Sequence, residues 1–294
     1  MIEIRRPRVL HRLETNDVFY EEIDPGDYLR EVIRCFWALE HDYRVEFHTH
    51  EHLWADVHFE LIFGFGEPYY QLSDAGRERL PKNFVIGPFK KKLMLFSDGF
   101  TGFVAVRFQP WGVVPFARTA IPTLVGNIVA AEEVFGVAIR SIAEQLEGQD
   151  RRSKVQILHG YFTRLLRAEC KQIASAPIAK KILTAQGTLK VCDLAKQSGL
   201  SSRHLERLFQ SETGLSIKMF SRIVRFNHAK RLIEKNPNIS LAQLTYETGY
   251  SDQAHFSKNF RELFDRSPAE FKNKLKEFQR EAGNQIDVAF LQDR

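Results

Sequence analysis

Leu194-Ala195-Lys196-Gln197-Ser198-Gly199-Leu200-Ser201 is echoed fifty residues later by Leu244-Thr245-Tyr246-Glu247-Thr248-Gly249-Tyr250-Ser251. Self-similarity at a period near fifty marks an internal repeat. Beyond the turn the offset grows to 51, pairing Leu205 with Phe256, Phe209 with Phe260, Ser216 with Ser267 and Phe220 with Phe271. One extra residue therefore sits at the second turn. In each copy apolar positions recur at helical spacing. Gly199 and Gly249 suit the left-handed residue that ends a first helix, and Ser201 and Ser251 suit the N-cap of the next. Each copy thus predicts helix, tight turn, helix.

Working outward, residues 177–185 predict a leading helix with Ile178, Ile182 and Leu183 inward. Val191, Leu194 and Ala195, then Leu205, Leu208 and Phe209, form the apolar side of the first motif. In the second motif Ser240-Leu241-Ala242-Gln243 reads as a capping box, followed by Leu244, Thr245, Phe256, Phe260 and Leu263. Ser267-Pro268-Ala269-Glu270 starts a closing helix with a second capping box and proline at its first position. Residues 217–234 lie between the copies and predict one helix of about 27 Å at 1.5 Å per residue. Such a spacer could hold two reading helices about one duplex turn apart, roughly 34 Å.

The faces left free carry particular chemistry. In the first copy Arg203, Glu206, Arg207 and Gln210 fall at helical spacing. Arginine pairs in bidentate fashion with guanine, and glutamate accepts from the cytosine amino group. A surface ion pair would explain Arg203, Glu206 and Arg207 equally well in isolation. The second copy offers Gln253, His255, Ser257 and Lys258, with glutamine suited to adenine and serine and lysine to bases or phosphate. Ser202, Arg222, Arg225, Lys230 and Arg231 are candidates for phosphate contact.

Charge is segregated. Residues 177–276 hold 18 Lys and Arg against 9 Asp and Glu, whereas the remainder holds 24 against 28. The basic excess lies wholly in the repeat region and suits a polyanion partner there. A solvated basic surface is the plainer alternative.

The chain has 294 residues, 44% of them apolar, which suits two domains. Small residues followed by proline at 174–177 mark the boundary. The expected fold class is α+β: a β-rich sandwich or barrel-like domain over 1–173, with connecting helices over 113–173, then a helical domain over 177–276 and a tail over 277–294. The tail includes an apolar patch at 288–291 that could dock on either domain. The N-terminus lacks the apolar run of a signal peptide, and no stretch approaches roughly 18 apolar residues, so a cytoplasmic, nucleoid-associated protein with no membrane partner is expected. Cys35, Cys170 and Cys192 are odd in number and far apart, and are read as free thiols.

In the first domain Phe36 and Ala38, then Val57, Phe59, Leu61, Phe63 and Phe65, alternate with period two. Residues 84–86, 93–96 and 103–108 are short apolar runs between turn signals, so several short strands are expected. A barrel of this kind could enclose a small effector. Five histidines, His41, His48, His50, His52 and His58, cluster here. On a strand His48, His50 and His52 would share a face, with Asp56 or Glu60 completing a metal site. The match to a metal-binding cupin is loose, since the usual carboxylate and glycine are missing, and solvent-facing histidines are the reading preferred. No nucleophile elbow, phosphate loop, metalloprotease motif or cofactor motif is found, and no enzyme activity is expected. From 113 to 170 the period shifts towards 3.6, with Val134, Ile139, Ile142, Ala143 and Leu146 on one face and Val155, Leu158, Phe162, Leu165 and Leu166 on another. These helices could cover the sheet or pair two chains, and a homodimer is the favoured expectation.

Residues 178–276 resemble the DNA-binding domain of the AraC/XylS transcription regulators. The resemblance rests on residues 199–209 (GLSSRHLERLF), 249–260 (GYSDQAHFSKNF) and 267–271 (SPAEF). It implies seven helices, promoter binding, RNA polymerase as partner and control through an N-terminal sensor. By position it marks Arg203, Glu206, Arg207, Gln253, His255, Ser257 and Lys258 as base-reading candidates. Lys190 stands where a capping serine or threonine is usual, and Ala254 where many members are polar. Residues 52–63 and 106–112 resemble the N-terminal domain of a group of bacterial regulators, with Ala55-Asp56-Val57 where that group often has Pro-Asp-Gly. Two other classes fit less of the chain. One is a metal-dependent barrel enzyme fused to a DNA-binding domain, resting on the histidines alone, and the other is a DNA-binding adaptor without a ligand.

Overall fold

The computed structural model describes residues 9–14, 18–44, 51–73, 76–168 and 172–281. The chain divides into two compact units. One carries most of the first 173 residues, and the other begins at Ala174 and takes in the short segments His52–Val57 and Phe89–Leu93.

The described strands are β1 (Val9–Glu14), β2 (Val18–Ile23), β3 (Ile33–Asp42), β4 (Glu51–Leu53), β5 (Glu60–Gly66), β6 (Tyr70–Ser73), β7 (Gly76–Arg79), β8 (Asn83–Ile86), β9 (Leu93–Phe96), β10 (Phe100–Phe108) and β11 (Ile128–Ala130), all but most of β4 and the first residue of β9 falling in the first unit. A short helix, α1 (Gly26–Leu29), links β2 to β3. Seven strands make one sheet in the order β1-β2-β3-β10-β5-β8-β11, and β4-β9-β6-β7 make a smaller one. The short apolar runs at 84–86, 93–96 and 103–108 fall in strands, as expected. Strand β5 starts at Glu60, so Val57 and Phe59 are buried outside it.

Alternation along β10 decides what each face of the large sheet carries. Val104, Val106 and Phe108 join Phe36, Leu61, Phe63 and Val85 in one core. Helices α2 (Ala131–Phe135), α3 (Ile139–Leu146) and α4 (Arg151–Ala168) complete it with Val134, Phe135, Ile139, Ile142, Leu146, Val155, Leu158 and Phe162. Phe162 meets Phe108 edge-on at 5.5 Å and Phe116 at 5.1 Å. The apolar stripes expected to pair two chains are therefore spent on covering their own sheet. Covering the sheet, one of the two roles expected of these helices, is thus filled, while Ala143, Ile157, Tyr161, Leu165 and Leu166 stay only partly buried against this core.

The opposite parity places Arg107 across from Cys35 on β3 and Glu60 on β5. Arg107 is buried, bonds Glu60 through Nε at 2.6 Å and lies 3.8 Å from Glu22, whose carboxylate accepts from the Tyr20 hydroxyl. Its guanidinium also sits 5.1 Å from the Trp37 ring. Burial pushes the Cys35 thiol up to about 12, so it is an inert free thiol. Cys192 is likewise free and exposed, and Cys170 lies outside the described residues.

The second unit contains α5 (Ala176–Thr184), α6 (Val191–Ser198), α7 (Ser202–Thr213), α8 (Ile217–Lys235), α9 (Leu241–Glu247), α10 (Gln253–Phe264) and α11 (Pro268–Glu281). Among the described residues the seven helices from Ala176 onward match the number the resemblance implies. Among the described residues no helix is long and apolar enough to cross a membrane.

Candidate nucleic-acid interface

Helices α6 and α7 meet at Gly199, which adopts φ +70°, a conformation that costs glycine nothing. Leu194, Ala195, Leu205 and Phe209 are buried behind them, and Phe209 meets Phe220 of α8 edge-on at 5.1 Å. The Ser201 hydroxyl accepts from the His204 N–H at 3.3 Å, capping α7 as expected. Lys190 stands at the N-cap of α6 without a side-chain bond, as its chemistry predicts.

The second motif repeats this frame with one shift. Gly249 has φ +68°, and a side chain there would also press on Thr188. The cap of α10 is Asp252, whose carboxylate accepts from the His255 N–H at 2.7 Å. Ser251 was expected to cap and instead bonds Asp252. The extra residue in the second turn explains the correction, since Ser201 plus 51 is Asp252. These bonds hold the Asp252 carboxyl below the usual aspartate range, first through the His255 N–H and then through Ser251. Ser267 and Glu270 form a reciprocal box at the start of α11, with bonds of 3.2 and 2.6 Å.

With the apolar sides buried, α7 exposes Ser202, Arg203 and Arg207, and α10 exposes Gln253, Ala254, His255 and Lys258. Ser257 is half-buried on the same helix. Glu206 is different. Half-buried, its carboxylate accepts from the Ile217 N–H at 3.2 Å, at the first residue of α8.

The phosphate candidates on α8 fare unevenly, because that helix runs between both motifs and is covered on most sides. Lys230 is fully buried, 3.6 Å from Glu234, and is withdrawn from the set: its ammonium has no path to a backbone phosphate. Arg222 pairs with Glu262 of α10, Arg225 lies over Tyr250, and Arg231 bonds the Gln186 side chain at 3.1 Å. All three are half-buried. Charge alone in the sequence suggested a solvated face, whereas the central helix uses these arginines to hold its neighbours. Asp252, Tyr250 and Glu212 were not singled out as functional from sequence. A 51-residue alignment of the copies past the turn would have found the first.

Of the clustered histidines, His41 and His58 are buried rather than solvent-facing. His48 and His50 lie outside the described residues, as does the side chain of His52. Among the described residues no group of three or more His, Cys, Asp or Glu is arranged to hold a metal ion.

A helix-turn-helix domain family matches residues 194–274, and a domain of unknown function (DUF6597) matches residues 21–130. The chain is 38% identical over 98 residues to the Msm operon regulatory protein of Streptococcus mutans serotype c, covering 33% of this chain and 35% of that protein. It is 37% identical over 81 residues to the HTH-type transcriptional regulator GlxA of Rhizobium meliloti, covering 28% and 25%. The match thus spans about a third and a quarter of those relatives. It spans 68% of the "Probable transcription factor PqrA" of Proteus vulgaris, at 35% identity over 85 residues and 29% of this chain.

Proposed function

Since the chain belongs to the AraC/XylS family of transcription regulators, we propose that it binds double-stranded promoter DNA sequence-specifically and regulates transcription, without enzymatic activity. The observation that carries this reading is the pair of exposed polar faces on α7 and α10, each backed by a buried apolar side. The 19-residue α8 between them is about 28 Å long at 1.5 Å per residue. That length suits insertion of α7 and α10 into two successive major-groove segments on one side of the duplex. Arg203 and Arg207 are suited to guanine, Gln253 to adenine, and His255, Ser257 and Lys258 to bases or phosphate. Ser202 can offer its exposed hydroxyl to a phosphate, whereas Arg222, Arg225 and Arg231 can meet phosphates only with the charge their internal partners leave available.

In this reading residues 1–173 form a sensor domain whose small-molecule effector or partner controls the reader over 177–276. RNA polymerase is the downstream partner, the protein works on the nucleoid in the cytoplasm, and a homodimer is compatible with the arrangement. Arg207→Ala tests the core of the reading. It is expected to cost about 1–3 kcal/mol on the specific site and less on random DNA. Equal losses on both would refute base reading.

A further inference from the structure

The two copies of the repeat finish the helix that follows them in different ways. At the start of α8 the Ser216 hydroxyl accepts from the Met219 N–H at 3.1 Å, and Glu206 takes the Ile217 N–H. At the start of α11 the residue equivalent to Ile217, 51 positions on, is Pro268, which has no N–H to offer. The residue equivalent to Glu206 is Ser257. Thus the first copy needs an acceptor from its reading helix, and the second does not.

A second carboxylate of α7 is used likewise. Glu212 accepts from the backbone N–H groups of Ala174 and Ser175, at 3.3 and 2.7 Å, where α5 begins. Helix starts present orphan donors and the positive end of the helix dipole, so a carboxylate is well placed at each. Both acids of α7 are thereby drawn to neighbouring helices, and Arg203 and Arg207 remain as the exposed charges of its free face.

Building on the DNA-reading role above, we infer that Glu206 is a positioning residue, fixing α7 against the start of α8, and that the homologous position in the second motif, Ser257, is the one released to read DNA. The first motif then discriminates bases through Arg203 and Arg207, and the second through Gln253, Ser257 and Lys258. A single choice at the following helix start, isoleucine or proline, decides which task the upstream position performs.

The test combines selection from randomised duplexes, binding titrations and amide exchange on the full-length protein. Glu206→Gln keeps an acceptor oxygen, so the selected sequence should stay the same and affinity should stay within about twofold. Glu206→Ala should speed exchange at the Ile217 amide and weaken all sequences several-fold, leaving the preference profile unaltered. Ser257→Ala should flatten preference at one position of the second half-site. A changed base preference in Glu206→Gln, an unmoved Ile217 amide in Glu206→Ala, or an unchanged profile in Ser257→Ala would overturn the inference. If the wild-type protein selects no sequence at all, the DNA-reading role itself fails, whereas the Ile217 exchange result still reports on the cap.

Discussion

The Arg225 guanidinium of α8 lies 4.6 Å from the centre of the Tyr250 ring, in the turn that leads into α10. Tyr250 in turn meets His255 and Phe256 edge-on at 5.3 and 5.4 Å. One aromatic ring thus ties the spacer helix to the second reading helix. Tyr250→Ala should destabilise the protein by about 1–3 kcal/mol, combining lost burial with a lost cation–π contact. Tyr250→Phe keeps the ring and should cost less than about 1 kcal/mol. Urea melts of both variants check this. Equal losses would assign the effect to the hydroxyl.

Asp252 makes an acid-dependent contribution. Its native carboxyl lies below the unfolded value because the His255 N–H and Ser251 bond the charged form. The contribution is therefore complete above the ordinary aspartate pKa and disappears as pH falls through the depressed native one. Melting temperatures followed from pH 7 down to about 2 should show a shallower acid decline for Asp252→Asn, which keeps a capping oxygen without the titration. A decline identical to wild type would show that Asp252 does not contribute to it.

Lys230 separates stability from DNA binding. Its ammonium is buried, while the Glu234 side chain beside it is about one-fifth exposed. Lys230→Met should destabilise by about 3 kcal/mol, because it removes the buried cation beside Glu234. The slope of log affinity against log salt should stay as in wild type, since no phosphate contact is lost. A slope reduced by about one would restore Lys230 to the interface.

Gly187 is held at φ +77°, and a Cβ there would lie 2.3 Å from the Ser221 carbonyl oxygen of α8. Gly187→Ala combines a left-handed backbone with a backbone clash, and about 2 kcal/mol or more should be lost. A thermal midpoint within a degree of wild type would contradict that account.

The helical unit was legible because its rules are local. Gly199, Ser201, Ser240 and the Ser267–Glu270 box each act within a few residues, and the repeat checked one copy against the other. The bond from the Ile217 N–H to Glu206 was not legible, because Ile217 sits eleven residues away on the next helix, outside any helical period. Lys230 misled for a related reason: lysine signals solvent unless something covers it, and what covers α8 comes from both flanking motifs. In the first domain the apolar alternation of β5 and the apolar run of β10 were visible. The cluster of Arg107, Glu60 and Glu22 was not, since its members lie on β10, β5 and β2, strands far apart in sequence that come together only within the assembled sheet. Strands β6 and β7 were not legible because they carry little apolar signal, β7 being exposed throughout and β6 mostly half-buried.

The added residue in the second turn also governs transplantation between the copies. Grafting the contact residues of α7 onto α10 by the fifty-residue spacing that aligns the supporting helices would misplace each side chain by one position. On an α-helix that is a rotation of about 100°, enough to turn an exposed arginine towards the core and a core phenylalanine towards water. A recognition swap must count from the caps, Ser201 onto Asp252, so that the donor face and the recipient's apolar floor stay in phase.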